Sequence, residues 1–177
     1  MTDAPSLAER SARTPPVTGA DFESFYETHR VKLFRALVLV TRDVHAAEEV
    51  AQDAFVRVWE RWDRVRQMED PTGFLYRTAL NGWFQVRRRA VRAARRIAGP
   101  GRVVDPMEAV DDRDDLARRL LELPARQRAA LVLTEYLGYD SAEAGRALGI
   151  RPGTVRRQAS KGRAALRRGH DEEGEGL

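Results

Sequence analysis

The stretch that most restricts what this chain can become is residues 140–168, DSAEAGRALGIRPGTVRRQASKGRAALRR, which spells two short helices around a tight turn. Asp140 with Glu143 three residues on is the reciprocal pair of a capping box, so a first helix runs to about Leu148. Gly149 suits the position past a helix end, where φ must be positive. Ile150 plugs the angle between the helices, and Pro152 suits the first turn of the second, where a missing N–H costs nothing. Val155, Ala159, Gly162 and Leu166 then recur at helical spacing and lay one narrow apolar stripe against the first helix. The opposite face carries Thr154, Arg156, Arg157, Ser160, Lys161 and Arg163, and residues 151–168 hold seven basic side chains and no acid. A second helix of this kind can lie in a major groove, with Arg and Lys on guanine edges or phosphates and Thr and Ser on backbone or bases. Plain solvation also produces basic helix faces; the agreement of caps, glycine, proline and charge favours DNA binding.

Upstream, residues 1–20 hold Pro5, Pro15 and Pro16 without apolar periodicity and read as disordered. From Asp21, the residues Phe22, Phe25, Tyr26, His29, Leu33, Phe34, Leu37, Val38 and Thr41 share one face of a helix that must be buried. A second helix over residues 47–62 places Ala47, Val50, Ala51, Ala54, Phe55, Val58 and Trp62 inward, as an antiparallel partner of the first. Its other face clusters Glu48, Glu49, Gln52, Asp53, Arg57 and Glu60, either a solvated, salt-bridged face or a docking surface for a protein. Asp70-Pro71 is a helix-start signal. The helix beyond it differs in kind: residues 71–104 hold eight Arg and no acid, interleaved with Phe74, Tyr76, Trp83 and Phe84. Rings that stack bases beside guanidinium groups that hold phosphates suit single-stranded nucleic acid, although Phe74, Leu75, Thr78, Ala79 and one of Trp83 and Phe84 also fit a core.

Gly99-Pro100-Gly101 breaks that helix. Residues 105–115 follow with six acids against Arg113 alone, a linker between two basic units. Helical spacing resumes through Leu116, Leu120 and Leu121, and a further helix from Leu123-Pro124 carries Leu131, Val132 and Tyr136 as core positions. The last seven residues hold four acids and two Gly and read as a frayed tail. The net charge is only +4, yet nearly all the cation is Arg, with Lys32 and Lys161 the only lysines, and this balance suits anionic partners. The absence of Cys excludes a disulfide framework, a thiolate metal site and a cysteine nucleophile. His29, His45 and His170 are scattered rather than spaced as ligands, so neither a metal nor another cofactor is expected. Without a membrane-length apolar run or a signal-peptide pattern, the expected location is the cytoplasm, with no membrane insertion.

The order of these segments resembles the extracytoplasmic-function (group IV) sigma factors of bacterial RNA polymerase, in the sigma-70 family. The quoted motifs are FESFYETH, AEEVAQDAFVRVWERW, DPTGFLYRTALNGWFQVRRR, an acidic linker, LPARQRAALVL and YDSAEAGRALGIRPGTVRRQASKGRAAL. The resemblance implies an all-α protein of two small helical domains, a region 2 three-helix unit over 21–96 and a region 4 helix-turn-helix over 113–168. A flexible acidic linker over 97–112 would join them, and an acidic tail would occupy 169–177. It implies a non-catalytic initiation subunit whose partners are core RNA polymerase (the beta-prime clamp helices and the beta flap), promoter DNA and an anti-sigma factor. Glu48, Glu49, Gln52, Asp53, Arg57 and Glu60 would then bind polymerase. Arg77, Asn81, Trp83, Phe84, Arg87 and Arg88 would recognise and open the minus-10 element, Asn81 matching the Asn of the family's Arg-Asn signature although Leu80 precedes it. Thr154, Arg156, Arg157, Ser160 and Lys161 would read the minus-35 element. The chain departs from the family's pattern at Ala144, at Arg151 and at Lys161-Gly162. A stand-alone helix-turn-helix regulator would also end this way, but its upstream part would show a ligand pocket or β/α alternation, and a recombinase would need a strand-rich catalytic domain.

Overall fold

Two runs of chain, residues 18–98 and 115–174, are described by the computed structural model, and every regular element in them is helical. The segment before residue 18, the glycine-proline break with the acidic linker at 99–114, and residues 175–177 lie outside the described residues. Helix α1 (Thr18–Thr41) ends where Arg42 takes a positive φ of 68°, and α2 (Val44–Trp59) begins two residues later. Asp43 is the hinge of this turn: its carboxylate accepts the His45 and Ala46 N–H groups at 2.8 and 3.0 Å, satisfying donors that the new helix leaves open. The expected apolar stripes are largely those observed, with one correction on α1: Tyr26 is 39 % exposed at the rim, edge-on to Phe55 at 4.8 Å, while Ala36 and Val40, outside the expected stripe, are buried. Leu33, Leu37 and Val40 of α1 meet Ala47, Ala54, Phe55 and Val58 of α2 in one core.

The second helix is shorter than its apolar pattern suggests. It stops at Trp59, and Trp62 opens a separate turn, α3 (Trp62–Val65). The break swings the Trp62 indole under α1, where its ring lies 5.4 Å from Phe22 and 5.0 Å from Phe25. The long helix α4 (Pro71–Ala98) starts as expected at Pro71, with the Asp70 carboxylate accepting the Gly73 N–H at 2.7 Å.

The C-terminal half consists of α5 (Asp115–Glu122), α6 (Ala125–Leu131), α7 (Ser141–Leu148) and α8 (Pro152–Gly174), so that most of the expected tail is helical. Between α6 and α7 the chain makes a π turn over Val132–Tyr136, closed by the Leu137 N–H on the Val132 carbonyl at 3.0 Å. This turn corrects one core assignment. Tyr136 is 46 % exposed, because widening the turn by one residue rotates it outward and brings Leu137 inward.

The two halves are packed on each other rather than held apart by their linker. Core residues of α1 and α4 (Val40, Leu80, Trp83) join Leu131, Leu133, Ala144 and Leu148 of the C-terminal half in a single cluster. Arg128, only 1 % exposed, spans the seam. It donates from Nε and Nη2 to the Val40 carbonyl at the end of α1, at 3.1 and 2.9 Å. Its Nη1 donates to the Leu121 and Leu123 carbonyls at 2.9 and 2.6 Å.

His29 sits half-buried on α1, its ring tilted at 54° and 4.5 Å from that of Phe25, and 3.4 Å from the Thr72 hydroxyl. Burial first, and then the Lys32 charge, hold its pKa below the usual 6.5. The folded chain therefore resists a proton that the unfolded chain accepts, so this contribution is intact above about pH 6.5 and is lost as pH falls below it. Acidification from about pH 8 to 5.5 should lower the melting temperature more in the wild type than in His29→Gln, compared by thermal melts. Equal drops would remove His29 from the account.

Candidate nucleic-acid interface

The helix-turn-helix is built by local rules. The Asp140 carboxylate accepts the Ala142 and Glu143 N–H groups, both at 2.7 Å, while Glu143 reaches back to the Asp140 N–H at 2.7 Å. Those backbone donors favour the carboxylate and lower the Asp140 pKa. Gly149 ends α7 with φ at 64°. Gly145 permits the close approach of the next segment, since a Cβ there would lie 2.8 Å from the Ile150 carbonyl oxygen. Gly162, one of the departures from the family pattern, plays the same part against α6, where a Cβ would meet Leu131 Cδ1 at 2.7 Å.

On α8, Val155 and Ala159 are buried, and Arg156, Arg157, Ser160 and Lys161 are exposed, with Thr154 half-buried at the helix start. Two cations of this surface have fixed partners. Arg156 donates from Nη1 to the Ser141 hydroxyl at 3.0 Å, and Arg163 pairs with Glu135 on the π turn at 2.6 Å. Arg151, just before Pro152, is exposed as well and adds to the basic entrance of the helix.

The second basic surface lies along α4. Arg77, Arg88 and Arg89 are exposed and Asn81 is half-buried. Of the two adjacent aromatics expected to face nucleic acid, Trp83 is in the core at 4 % exposure, and half-buried Phe84 packs edge-on against it at 4.7 Å. The helical period decides this: Trp83 falls in line with Tyr76, Ala79 and Leu80 on the buried stripe. The Arg87 guanidinium lies 5.9 Å over the Trp83 ring, and Arg126 of α6 lies 5.7 Å over Phe84.

The packing of the two halves brings these two basic surfaces together. Arg77 and Asn81 of α4 face Arg146, Gly149, Arg151 and Pro152 across a cleft of about 620 Å³. Beside it Tyr76 and Tyr139 stack edge-on at 5.7 Å, and burial raises both hydroxyl pKa values, that of Tyr139 to about 12.

A third surface lies at the far side of the N-terminal half. Glu48, Glu49, Gln52, Asp53, Arg57 and Glu60 are all exposed along α2. Beside them runs a groove of about 360 Å³ between α1 and α2, lined by Tyr26, Val31, Phe34, Glu48, Gln52 and Phe55. Val56 and Trp59, outside the sequence-predicted cluster, are 55 % and 49 % exposed on the same helix. The available signal was two large apolar residues off the buried stripe, next to the acidic cluster. Among the described residues no group of His, Cys, Asp and Glu could hold a metal ion, and no helix is long and apolar enough to cross a membrane.

Among the described residues, an all-α fold whose capped helix-turn-helix carries an arginine-rich second helix has the build of a DNA-binding protein. Comparison with known families defines it further. The family "Sigma-70 region 2" matches residues 25–97 and "Sigma-70, region 4" matches residues 113–166. The chain is 28% identical over 148 residues to the ECF RNA polymerase sigma factor SigM of Mycobacterium tuberculosis, covering 83% of this chain and 76% of that one. It is 27% identical over 150 residues to the RNA polymerase sigma-E factor of Streptomyces avermitilis, covering 83% of each. Among solved structures, the sigma factor RpoE in complex with the anti-sigma factor NepR from Bartonella quintana shares the fold. Its TM-score is 0.69 at 21% identity, covering 84% of this chain and 95% of that one. CnrH in complex with the cytosolic domain of CnrY superposes with a TM-score of 0.58 at 25% identity, covering 85% and 88%. The chain belongs to the extracytoplasmic-function sigma factors of the sigma-70 family.

Gly145→Ala should force Cβ against the Ile150 carbonyl and destabilise the protein by roughly 1–3 kcal/mol. A thermal melt checks this, and an unchanged melting temperature would mean that the turn can open without loss.

Proposed function

We propose that this sigma factor acts as a non-catalytic cytoplasmic initiation subunit, with α2 docking on core RNA polymerase, α4 capturing the minus-10 element and α8 reading the minus-35 element. The observation that carries this reading is the presence in one chain of two helices with exposed basic faces and a separate acidic, aromatic-edged face on α2. Arg77, Asn81, Phe84, Arg87 and Arg88 form the strand-capturing set, with Trp83 as the buried support on which Phe84 and Arg87 rest. Thr154, Arg156, Arg157, Ser160 and Lys161 form the duplex-reading set. Glu48, Glu49, Gln52, Asp53, Arg57 and Glu60 meet the beta-prime clamp helices, and region 4 meets the beta flap. The RpoE neighbour solved with the anti-sigma factor NepR supports an anti-sigma partner for this chain too.

Magnitudes say how the work is divided. Opening on the order of ten base pairs costs roughly 14 kcal/mol at about 1.4 per step. Two or three flipped bases stacked on rings and guanidinium groups return about 1–3 kcal/mol each. The chain alone therefore falls short of holding a bubble open, and the balance comes from core-enzyme contacts. Free protein should bind promoter duplex weakly and the holoenzyme tightly.

Run-off transcription with purified core polymerase, this protein and genomic fragments tests the proposal; transcripts that vanish when the protein is omitted are expected. Reversing Asp53 and Arg57 together (Asp53→Lys, Arg57→Glu) should cut association with core severalfold in pull-down titrations while leaving the melting temperature unchanged. Undiminished association would remove the docking assignment. Arg156→Ala with Arg157→Ala should lower the slope of log affinity against log salt by about 2 for upstream-element duplex bound to holoenzyme. An unchanged slope would take both residues off the phosphates.

A further inference from the structure

One basic edge of α8 is held by side chains from outside that helix. Arg156 and Arg163 stand seven residues apart, two turns of helix, and so share this edge. Both are exposed, yet their partners differ in charge. Arg156 Nη1 donates to the hydroxyl of Ser141, the first residue of α7, at 3.0 Å. The guanidinium lies back over the first turn of α8, where a Cβ on Gly153 would be 3.8 Å from Nη2. Asp140 and Glu143, the acids on either side of Ser141, are engaged with backbone N–H groups at the start of α7. The bond from Arg156 goes to a neutral hydroxyl, which fixes the guanidinium and leaves its charge intact.

Arg163 is treated in the opposite way. Its Nη1 donates to Glu135 Oε1 at 2.6 Å, and the same oxygen accepts the Thr134 hydroxyl at 3.3 Å. Glu135 stands on the π turn and is exposed there. The paired side chains are 46 % and 56 % exposed, a setting in which an ion pair adds little to stability. Its consequence for DNA is larger. Affinity for duplex of any sequence grows with the number of phosphates that cations neutralise, and a guanidinium already neutralised by a carboxylate adds nothing to that number. All four residues belong to the C-terminal half, so neither bond depends on how the two halves are arranged.

We propose that Ser141 and Glu135 sort the cations of α8: Ser141 positions Arg156 for the DNA backbone with its charge intact, and Glu135 neutralises Arg163, which restrains binding to duplex of the wrong sequence. This rests on the assignment of α8 as the minus-35 reader. Ser141 is a positioning residue, since it acts through Arg156. Holding a long side chain in its bound geometry removes an ordering cost from binding. Glu135 determines specificity by subtraction, because it removes a contact that every sequence would share.

The test uses holoenzyme assembled from core polymerase and excess full-length protein. It is titrated over a range of salt with two duplexes of equal length, one carrying the upstream element recovered by run-off transcription and one lacking it. Glu135→Gln should tighten the duplex lacking the element severalfold and steepen its slope of log affinity against log salt by about 1. Adding Arg163→Ala to Glu135→Gln should return that slope to the wild-type value, a reversal that a purely structural role for Glu135 does not produce. Ser141→Ala should weaken the upstream-element duplex by about two- to tenfold at an unchanged slope, because the cation is still present but no longer held. Ser141→Thr keeps the hydroxyl and should restore the affinity. Each variant changes a surface group by a few atoms, and melting temperatures equal to wild type are expected throughout. A Glu135→Gln slope equal to wild type, or Ser141→Ala binding as tightly as wild type, overturns the proposal. The reader assignment fails separately: an unchanged slope for Arg156→Ala with Arg157→Ala takes α8 off the DNA backbone, whereas a lowered slope there with no effect of Glu135→Gln removes the sorting alone.

Discussion

A guanidinium group with almost no exposed surface needs acceptors on all sides, and Arg128 finds them in the ends of helices. The last carbonyls of any helix have no partner within it. Leu121 and Leu123 lie at the end of α5 and just beyond it, and Val40 is in the last turn of α1. One side chain therefore finishes two helix ends, one of them 88 residues from it in the chain. The partial negative charge of both helix ends favours a cation there. Removing a cation from water costs several kcal/mol and its bonds return a similar amount, so the arrangement contributes specificity of docking more than net stability. Everything that is particular to this structure, including the juxtaposed basic faces, depends on that docking.

The parts legible in the sequence are those governed by neighbours a few residues away. The capping box, the αL glycine and the N-terminal proline of the helix-turn-helix are local signals that agree, and each is found where the sequence places it. The stripes on α1 and α2 are equally local. What escaped has longer reach. The π turn shifts the phase of the helix by one residue, which a fixed 3.6-residue period cannot represent, so the period points Tyr136 inward and the structure places it outward. The sequence places both Trp83 and Phe84 toward nucleic acid or one of them in the core, because adjacent residues on a helix differ by about a hundred degrees and only the partners of α4 choose between them; Trp83 is the buried one. Arg128 stands among many arginines, and no short-range pattern sets it apart.

The charge pattern has a similar lesson. A net charge of +4 hides two strongly basic stretches and, between them in sequence, a run of six acids over residues 105–115. Docking the halves brings Arg77 to the same cleft as Arg146 and Arg151, which on its own opposes the docked state. The apolar core across the seam and the Arg128 bridge outweigh that repulsion in this conformation. A polyanion competing for the same cations acts in the opposite sense, since its binding releases them from one another.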